Sequence, residues 1–216
     1  VSKNGEERFR TLKNTHFQQS DRSLIVLASS SPRRQELITS LGLPHVVQPS
    51  DADETVPADW APTRIVEALA LRKAQAVAQE RHVSGEDGIV IGSDTIVVLD
   101  GEVLGKPHDE ADAERMLTSL QGRSHEVYTG VALVRAADGR QEVSHRVTTV
   151  HMTAWTQEQI RRYIATGEPM DKAGSYAIQG IGATLVTGIE GCYFNVVGLP
   201  LSLLTDMLKM FDIIIP

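Results

Sequence analysis

The sequence predicts an α/β fold built on a mixed β-sheet, and three observations carry that expectation. Short, β-branched apolar runs at residues 24–28, 89–91 and 96–99 have the composition of buried strands. Segments with apolar residues at helical spacing alternate with them, around 32–41, 63–79 and 109–120. Two Asp-Gly pairs, Asp100-Gly101 and Asp138-Gly139, mark hairpins, so part of the sheet must be antiparallel.

In chain order, residues 1–23 are polar and mixed in charge, and are expected as an amino-terminal extension. The run 24–28 is the first strand. Ser31 and Pro32 then suit an N-cap and first helical position, Leu37, Ile38 and Leu41 share one side, and Gly42 suits the stop. A strand around Val46 and Val47 and an acidic loop at 51–54 follow. The helix over 63–79 carries Val66, Ala70, Lys73 and Val77 on one stripe. Residues 89–91 and 96–99 read as two strands joined by residues 92–95. Asp109 suits the cap of a helix to residue 120, strands at 127–134 and 143–154 flank the second hairpin, and a helix follows over 156–165. Strands are expected at 184–186 and 194–197, then a closing helix over 199–211 with Pro200 in its first turn. No repeat or flexible linker divides residues 24–212, so they are expected to form a single domain.

Composition narrows the function. With 21 Lys+Arg against 28 Asp+Glu the net charge is −7, which argues against a sequence-independent nucleic-acid binder. The 41% hydrophobic content suffices for a real core. Cys192 is the only cysteine, so neither an intrachain disulfide nor a cysteine-cluster metal site can form. The longest apolar runs are too short to cross a bilayer, and residues 1–23 lack the apolar stretch of a leader. A cytoplasmic protein without membrane partners is the expectation.

Several residues stand out chemically. Arg33 and Arg34 lie in a helical first turn, where the macrodipole favours carboxylates; they make sense if the serines of 29–31, the free N–H groups and the two guanidiniums converge on an anion. The bland alternative is a surface pair answered by solvent. Asp94 lies between two apolar runs, where a carboxylate needs a cation or several donors, unless it merely bonds its own backbone in a turn. Lys73 sits on an apolar stripe and either snorkels or has a buried partner. Lys106 is flanked by Gly105 and Pro107, which would aim its amine, although loop lysines usually face solvent. Glu54 closes the acidic loop; with Asp94 it could hold a hard divalent cation, or it is simply solvated. Gln179 lies in the glycine-rich segment 171–180 and can read a base edge with both its carbonyl and amide. The histidines lack zinc-ligand spacing.

Five strings, at residues 27–37, 91–97, 104–107, 167–174 and 195–200, closely resemble the Maf family of nucleoside triphosphate pyrophosphatases, and the resemblance runs in order from about Leu24 to Phe211. It implies an elongated mixed sheet with flanking helices and two lobes around a central cleft, of the inosine triphosphatase-like (Maf/Ham1) type. It implies hydrolysis of a nucleoside triphosphate to the monophosphate and pyrophosphate, a divalent cation (Mg²⁺ or Mn²⁺), and a homodimer. The family's proton acceptor falls on Asp94. Its phosphate-binding and metal-organising positions fall on the serine run (Ser29 and Ser31 being the candidates), Arg34, Glu54, Lys73 and Lys106. The expected catalytic set is thus Asp94, Glu54 and Lys106, with Glu54 and Asp94 holding the metal. Specificity positions fall on Arg33, Thr95 and Gln179, in the form of the branch preferring dTTP and UTP rather than 7-methyl-GTP. The departures are mild: Ser93 stands where alanine is usual and Ala177 where glycine is usual. A non-catalytic nucleotide-binding regulator of cell division or septum formation is the competing reading, since it would use the same cleft.

Overall fold

The computed structural model describes residues 24–215; the expectation for residues 1–23 lies outside them. The elements in order are β1 (Ile25–Leu27), α1 (Pro32–Ser40), β2 (His45–Val47), α2 (Pro62–Val83), β3 (Ile89–Leu99), β4 (Glu102–Leu104), α3 (Glu110–Leu120), β5 (Ser124–Arg135), β6 (Gln141–Met152), α4 (Gln157–Ile164), β7 (Val186–Glu190), α5 (Tyr193–Val197) and α6 (Leu201–Lys209). Short 3₁₀ turns at Glu168–Asp171, Ala173–Ser175 and Gly180–Leu185 fill the path from α4 to β7.

The strands described form one mixed sheet in the order β2-β1-β3-β5-β6-β7. β1 is parallel to β2 and β3, and the rest pair antiparallel. β3 organises the molecule. One of its edges pairs with β5 from Ile89 to Val98. Its other edge is divided: β1 takes Ile89 to Ile91, and β4 takes Val97 to Leu99. Residues 92–96 of that edge therefore bridge to neither strand, and the sheet is split beside Asp94. Ligand crevices in α/β sheets form where neighbouring strand ends part in this way.

Alternation along β3 sends Val90, Gly92, Asp94, Ile96 and Val98 towards α2. Val90 packs with Ala70, Ala74 and Val77, and Ile96 and Val98 pack with Ile65, Val66 and Leu69. The opposite face carries two separate cores. Ile89 and Ile91 join α1 and α6 through Ile38, Leu204 and Phe211; Val97 and Leu99 join α3 and α4 through Leu117, Leu120 and Ile160. These are the two lobes, and α2 with the long strands spans both.

Helix α2 lies unusually close to the sheet because two glycines face it. A Cβ on Gly92 would sit 2.1 Å from the Ala70 carbonyl oxygen, and one on Gly130 2.2 Å from that of Val66. Gly130 is also the cross-strand partner of Asp94. The helix backbone thus rests on the sheet backbone beside the acid.

Turns and caps are set by chain neighbours. Asp100 (φ 51°) and Gly101 (φ 84°) both adopt positive φ at the β3–β4 turn. The Asp109 side chain accepts from the Asp112 N–H, and Thr156 with Gln159 forms a capping box. Three expectations need correction. Residues 92–95 do not join two strands; β3 runs through them, because pairing with β5 overrides the glycine signal. Asp94 is therefore mid-strand, not in a turn. Residues 194–197 form helix α5 rather than a strand, since the buried Asn195 amide donates to the Val127 carbonyl and the Thr148 hydroxyl, and Gly198 (φ 120°) ends the turn. Residues 184–185 end a 3₁₀ turn and the strand expected at 184–186 begins only at Val186. Ser31 is the N-cap residue of α1 as expected, although its side chain makes no capping bond.

Two outcomes follow from packing. Gly130→Ala should destabilise by about 3 kcal/mol or more, because backbone must yield; thermal or denaturant unfolding checks this, and a change below about 1 kcal/mol contradicts the contact. His125 is buried with its Nε2 on the Tyr176 hydroxyl (2.7 Å), and burial lowers its pKa to about 4. The folded state therefore binds fewer protons than the unfolded one between the ordinary histidine value and 4, and stability falls as pH falls through that window. The loss should be about 2 kcal/mol from pH 7 to pH 5, and His125→Gln should remove that part of the slope in pH-dependent unfolding.

Candidate active site

The split beside Asp94 opens into a cleft of about 950 Å³ that every candidate residue lines. Ser29 and Ser31 come from the chain leaving β1, and Arg33 and Arg34 from the first turn of α1. Glu54 comes from the acidic loop, Lys73 from α2, and Asp94 and Thr95 from β3. Lys106 follows β4 and Gln179 precedes the last 3₁₀ turn.

At its centre Lys73 Nζ lies 2.7 Å from Asp94 Oδ1 and 3.1 Å from Glu54 Oε1. The lysine does not snorkel: its side chain and that of Asp94 are about nine-tenths buried, at 12% and 10% exposure. A buried acid keeps its charge only with such a partner. Helix α2 can deliver the lysine at this depth because Gly92 and Gly130 admit it. Asp94 Oδ2 has no partner among the described residues.

Arg34 is partly buried and bonds only neutral acceptors: Nε donates to the Gly198 carbonyl (2.8 Å), Nη1 to Ser29 Oγ (3.3 Å) and Nη2 to Thr95 Oγ1 (3.0 Å). Burial pulls its pKa below the ordinary value, with Asp94 opposing. Among the described residues it makes no ion pair, so its charge is left to the cleft. Thr129 Oγ1 donates to the Asn195 carbonyl, which leaves Thr95 to donate to Thr129 (3.0 Å). Thr95 therefore spends its proton and a lone pair on holding Arg34. Arg33 faces Asp171 at 3.7 Å. Lys106, Gln179 and the Ser31 hydroxyl have no hydrogen-bond partner among the described residues.

Sequence reasoning missed two supports. Arg72 Nη1 donates to the carbonyls of Thr55 (2.7 Å) and Asp53 (3.3 Å), gripping the loop on both sides of Glu54. Its adjacency to Lys73 was visible, but its loop partners were not. The Ser93 hydroxyl lies 3.0 Å from the Gly130 carbonyl and 3.0 Å from the Gly198 carbonyl that also receives Arg34, and shares its one proton between them.

Among the described residues no group of three His, Cys, Asp or Glu side chains converges to cage a metal. Glu54 and Asp94 are a two-carboxylate set around one cationic position, the ammonium of Lys73. That donor set suits a hard divalent cation that retains waters and takes further ligands from phosphate.

Residues 24–211 match the family described as Maf-like protein. Relatives named dTTP/UTP pyrophosphatase include one from Desulforamulus reducens, 52% identical over 88% of this chain and 97% of that protein. Another, from Pelotomaculum thermopropionicum, is 54% identical over 87% and 96%. Among solved structures, the Ham1 protein of Staphylococcus aureus aligns over 76% of this chain and 79% of that chain, at 17% identity and a TM-score of 0.45, a likeness too slight to bear on function.

Removing one partner of the central ion pair strands a buried charge. Lys73→Met should cost about 3 kcal/mol, and adding Asp94→Leu should recover most of it. Unfolding of the single and double variants checks this; equal stabilities for Lys73→Met and wild type would contradict the pairing.

Proposed function

The chain belongs to the Maf family, and from that premise we propose that it is a hydrolase of acid anhydrides. It hydrolyses dTTP and UTP to the monophosphate and pyrophosphate, the activity in the names of its relatives. Those names favour the enzyme over a non-catalytic regulator of cell division. The observation that carries the reading is the convergence of Arg33, Arg34, Lys73 and Lys106 with Asp94 and Glu54 on one cleft.

Hydrolysis of a triphosphate needs little covalent chemistry from the protein; it needs positioning and charge stabilisation. Arg34 is held rigidly by three neutral acceptors, so its charge faces the phosphates at no cost of reorganisation. Arg33 and Lys106 add cationic donors from opposite walls, and the Ser29 and Ser31 hydroxyls can donate to phosphate oxygens. Asp94 commits Oδ1 to Lys73, which holds the carboxylate in place; Oδ2 is left to orient water and accept its proton. A divalent cation, Mg²⁺ or Mn²⁺, held by Glu54 and Asp94 would screen the phosphates and acidify the attacking water. Gln179 would read the base through its amide. The same reading takes residues 24–212 as one catalytic domain, working in the cytoplasm as a homodimer; among the described residues no helix is long and apolar enough to cross a membrane.

The test is pyrophosphate release from dTTP, UTP, CTP and 7-methyl-GTP with Mg²⁺ or Mn²⁺. dTTP and UTP should be used best, and no release from any of them would overturn the reading. Asp94→Asn should keep the circular dichroism of the wild type and lose about 10²–10⁴-fold in kcat. Near-wild-type turnover would remove Asp94 from its role. Gln179→Glu should weaken use of dTTP and UTP relative to the other nucleotides, because a carboxylate has no donor pair.

A further inference from the structure

Gln179 lines the cleft from a stretch that has no regular secondary structure to hold it. Between α4 and β7 the described chain makes only 3₁₀ turns. One carboxylate ties it down on both sides of Gln179. Glu168 Oε1 accepts from the Tyr163 hydroxyl (2.9 Å) and the Gly182 N–H (2.9 Å), and Oε2 accepts from the Ile181 N–H (3.1 Å). The Tyr163 oxygen in turn accepts from the Ala177 N–H at 3.3 Å. Both flanks of Gln179 are thus tied to a single acid–phenol pair anchored on α4.

The glycines of the loop fit around this pair. A Cβ on Gly180 (φ +68°) would lie 2.6 Å from Glu168 Oε2, and one on Gly182 would lie 2.4 Å from the Tyr163 oxygen. Tyr163 is buried, and burial and then Glu168 push its pKa up, so it stays a donor. Burial alone would raise the Glu168 pKa, but the two backbone N–H groups, Tyr163 and Lys172 outweigh it and leave it below the ordinary value. At neutral pH the clasp is an ionised acceptor facing three donors. Lys172 also donates to the Glu168 carbonyl and to Asp171, the residue opposite Arg33. None of these groups lies among the ten residues assigned above, and Glu168 itself does not line the cleft.

We propose that Glu168 is the positioning residue for Gln179: through Tyr163 and the 181–182 backbone its carboxylate sets the loop that selects the nucleobase. The inference rests on Gln179 reading the base, as proposed above. A glutamine at 168 cannot replace the acid, because its NH₂ would face a backbone N–H donor.

The experiment compares wild type, Glu168→Gln, Tyr163→Phe, Gln179→Ala and the double variant Glu168→Gln/Gln179→Ala. It measures kcat and KM for dTTP, UTP and CTP, together with amide hydrogen exchange. Glu168→Gln should reduce the preference for dTTP over CTP about tenfold, mainly through KM, and the double variant should lose no more than Gln179→Ala alone. The Ile181 and Gly182 amides should exchange at least about tenfold faster. Tyr163→Phe should move both readouts the same way by less, and it carries the comparison if Glu168→Gln does not fold. An unchanged preference in a folded clasp variant, additive losses in the double variant, or unchanged exchange each overturns the proposal. If Gln179→Ala leaves the wild-type preference intact, base reading by Gln179 fails and the positioning role falls with it. Accelerated exchange in that case would show a clasp that is structural only.

Discussion

Backbone contact between α2 and the central strands is the constraint from which the rest of the site follows. Two side-chain-free positions, Gly92 and Gly130, bring the helix carbonyls of Ala70 and Val66 almost onto the sheet. One turn along, Lys73 then reaches Asp94 inside the protein rather than at its rim. With an ordinary side chain at either glycine the helix would have to move outward, and the ammonium would withdraw from the carboxylate. Asp94 is tolerable in mid-strand only because of that partner. The divided edge of β3 supplies the other condition, since it leaves Asp94 beside an opening rather than under a neighbouring strand.

Around this centre the cleft sets one charge held by neutral partners beside others that are exposed. Arg34 is locked by Gly198, Ser29 and Thr95, none of which is charged. Its positive charge is therefore preorganised for an anion, the condition under which electrostatic stabilisation is most effective. Lys106 and Glu54, by contrast, are exposed. Arg72 holds the carbonyls on either side of Glu54. Glu168 does for the loop that carries Gln179 what Thr95 does for Arg34: it spends polar groups on geometry.

What the sequence made legible was set by the range of the interactions. Pro32 at the start of α1, the Asp100-Gly101 turn and the Asp109 cap involve neighbours in the chain, and they stand as expected. The oddity of Arg34, Lys73 and Asp94 was visible as a mismatch between residue type and surroundings, and all three line one cleft. Their individual contacts were not visible. Continuity of β3 through Gly92 depends on β5, some 40 residues on by the Gly92–Ala132 pairing. The helix at 193–197 depends on Asn195 bonding to β5 and β6. Beyond its place in the string 167–174, nothing in the sequence singles out Glu168, because its partners include backbone N–H groups that carry no residue-type signal. The Maf resemblance supplied candidate roles for the odd residues. It gave no reason for the glycines that let them meet.

The most direct measurement is a crystal structure with a non-hydrolysable α,β-methylene analogue of dUTP and Mg²⁺. The account predicts the triphosphate among Arg33, Arg34 and Lys106, the cation on Glu54 and Asp94, and the base beside Gln179. A nucleotide bound outside the split in the sheet, or phosphates lying away from Arg34 and Asp94, would contradict it.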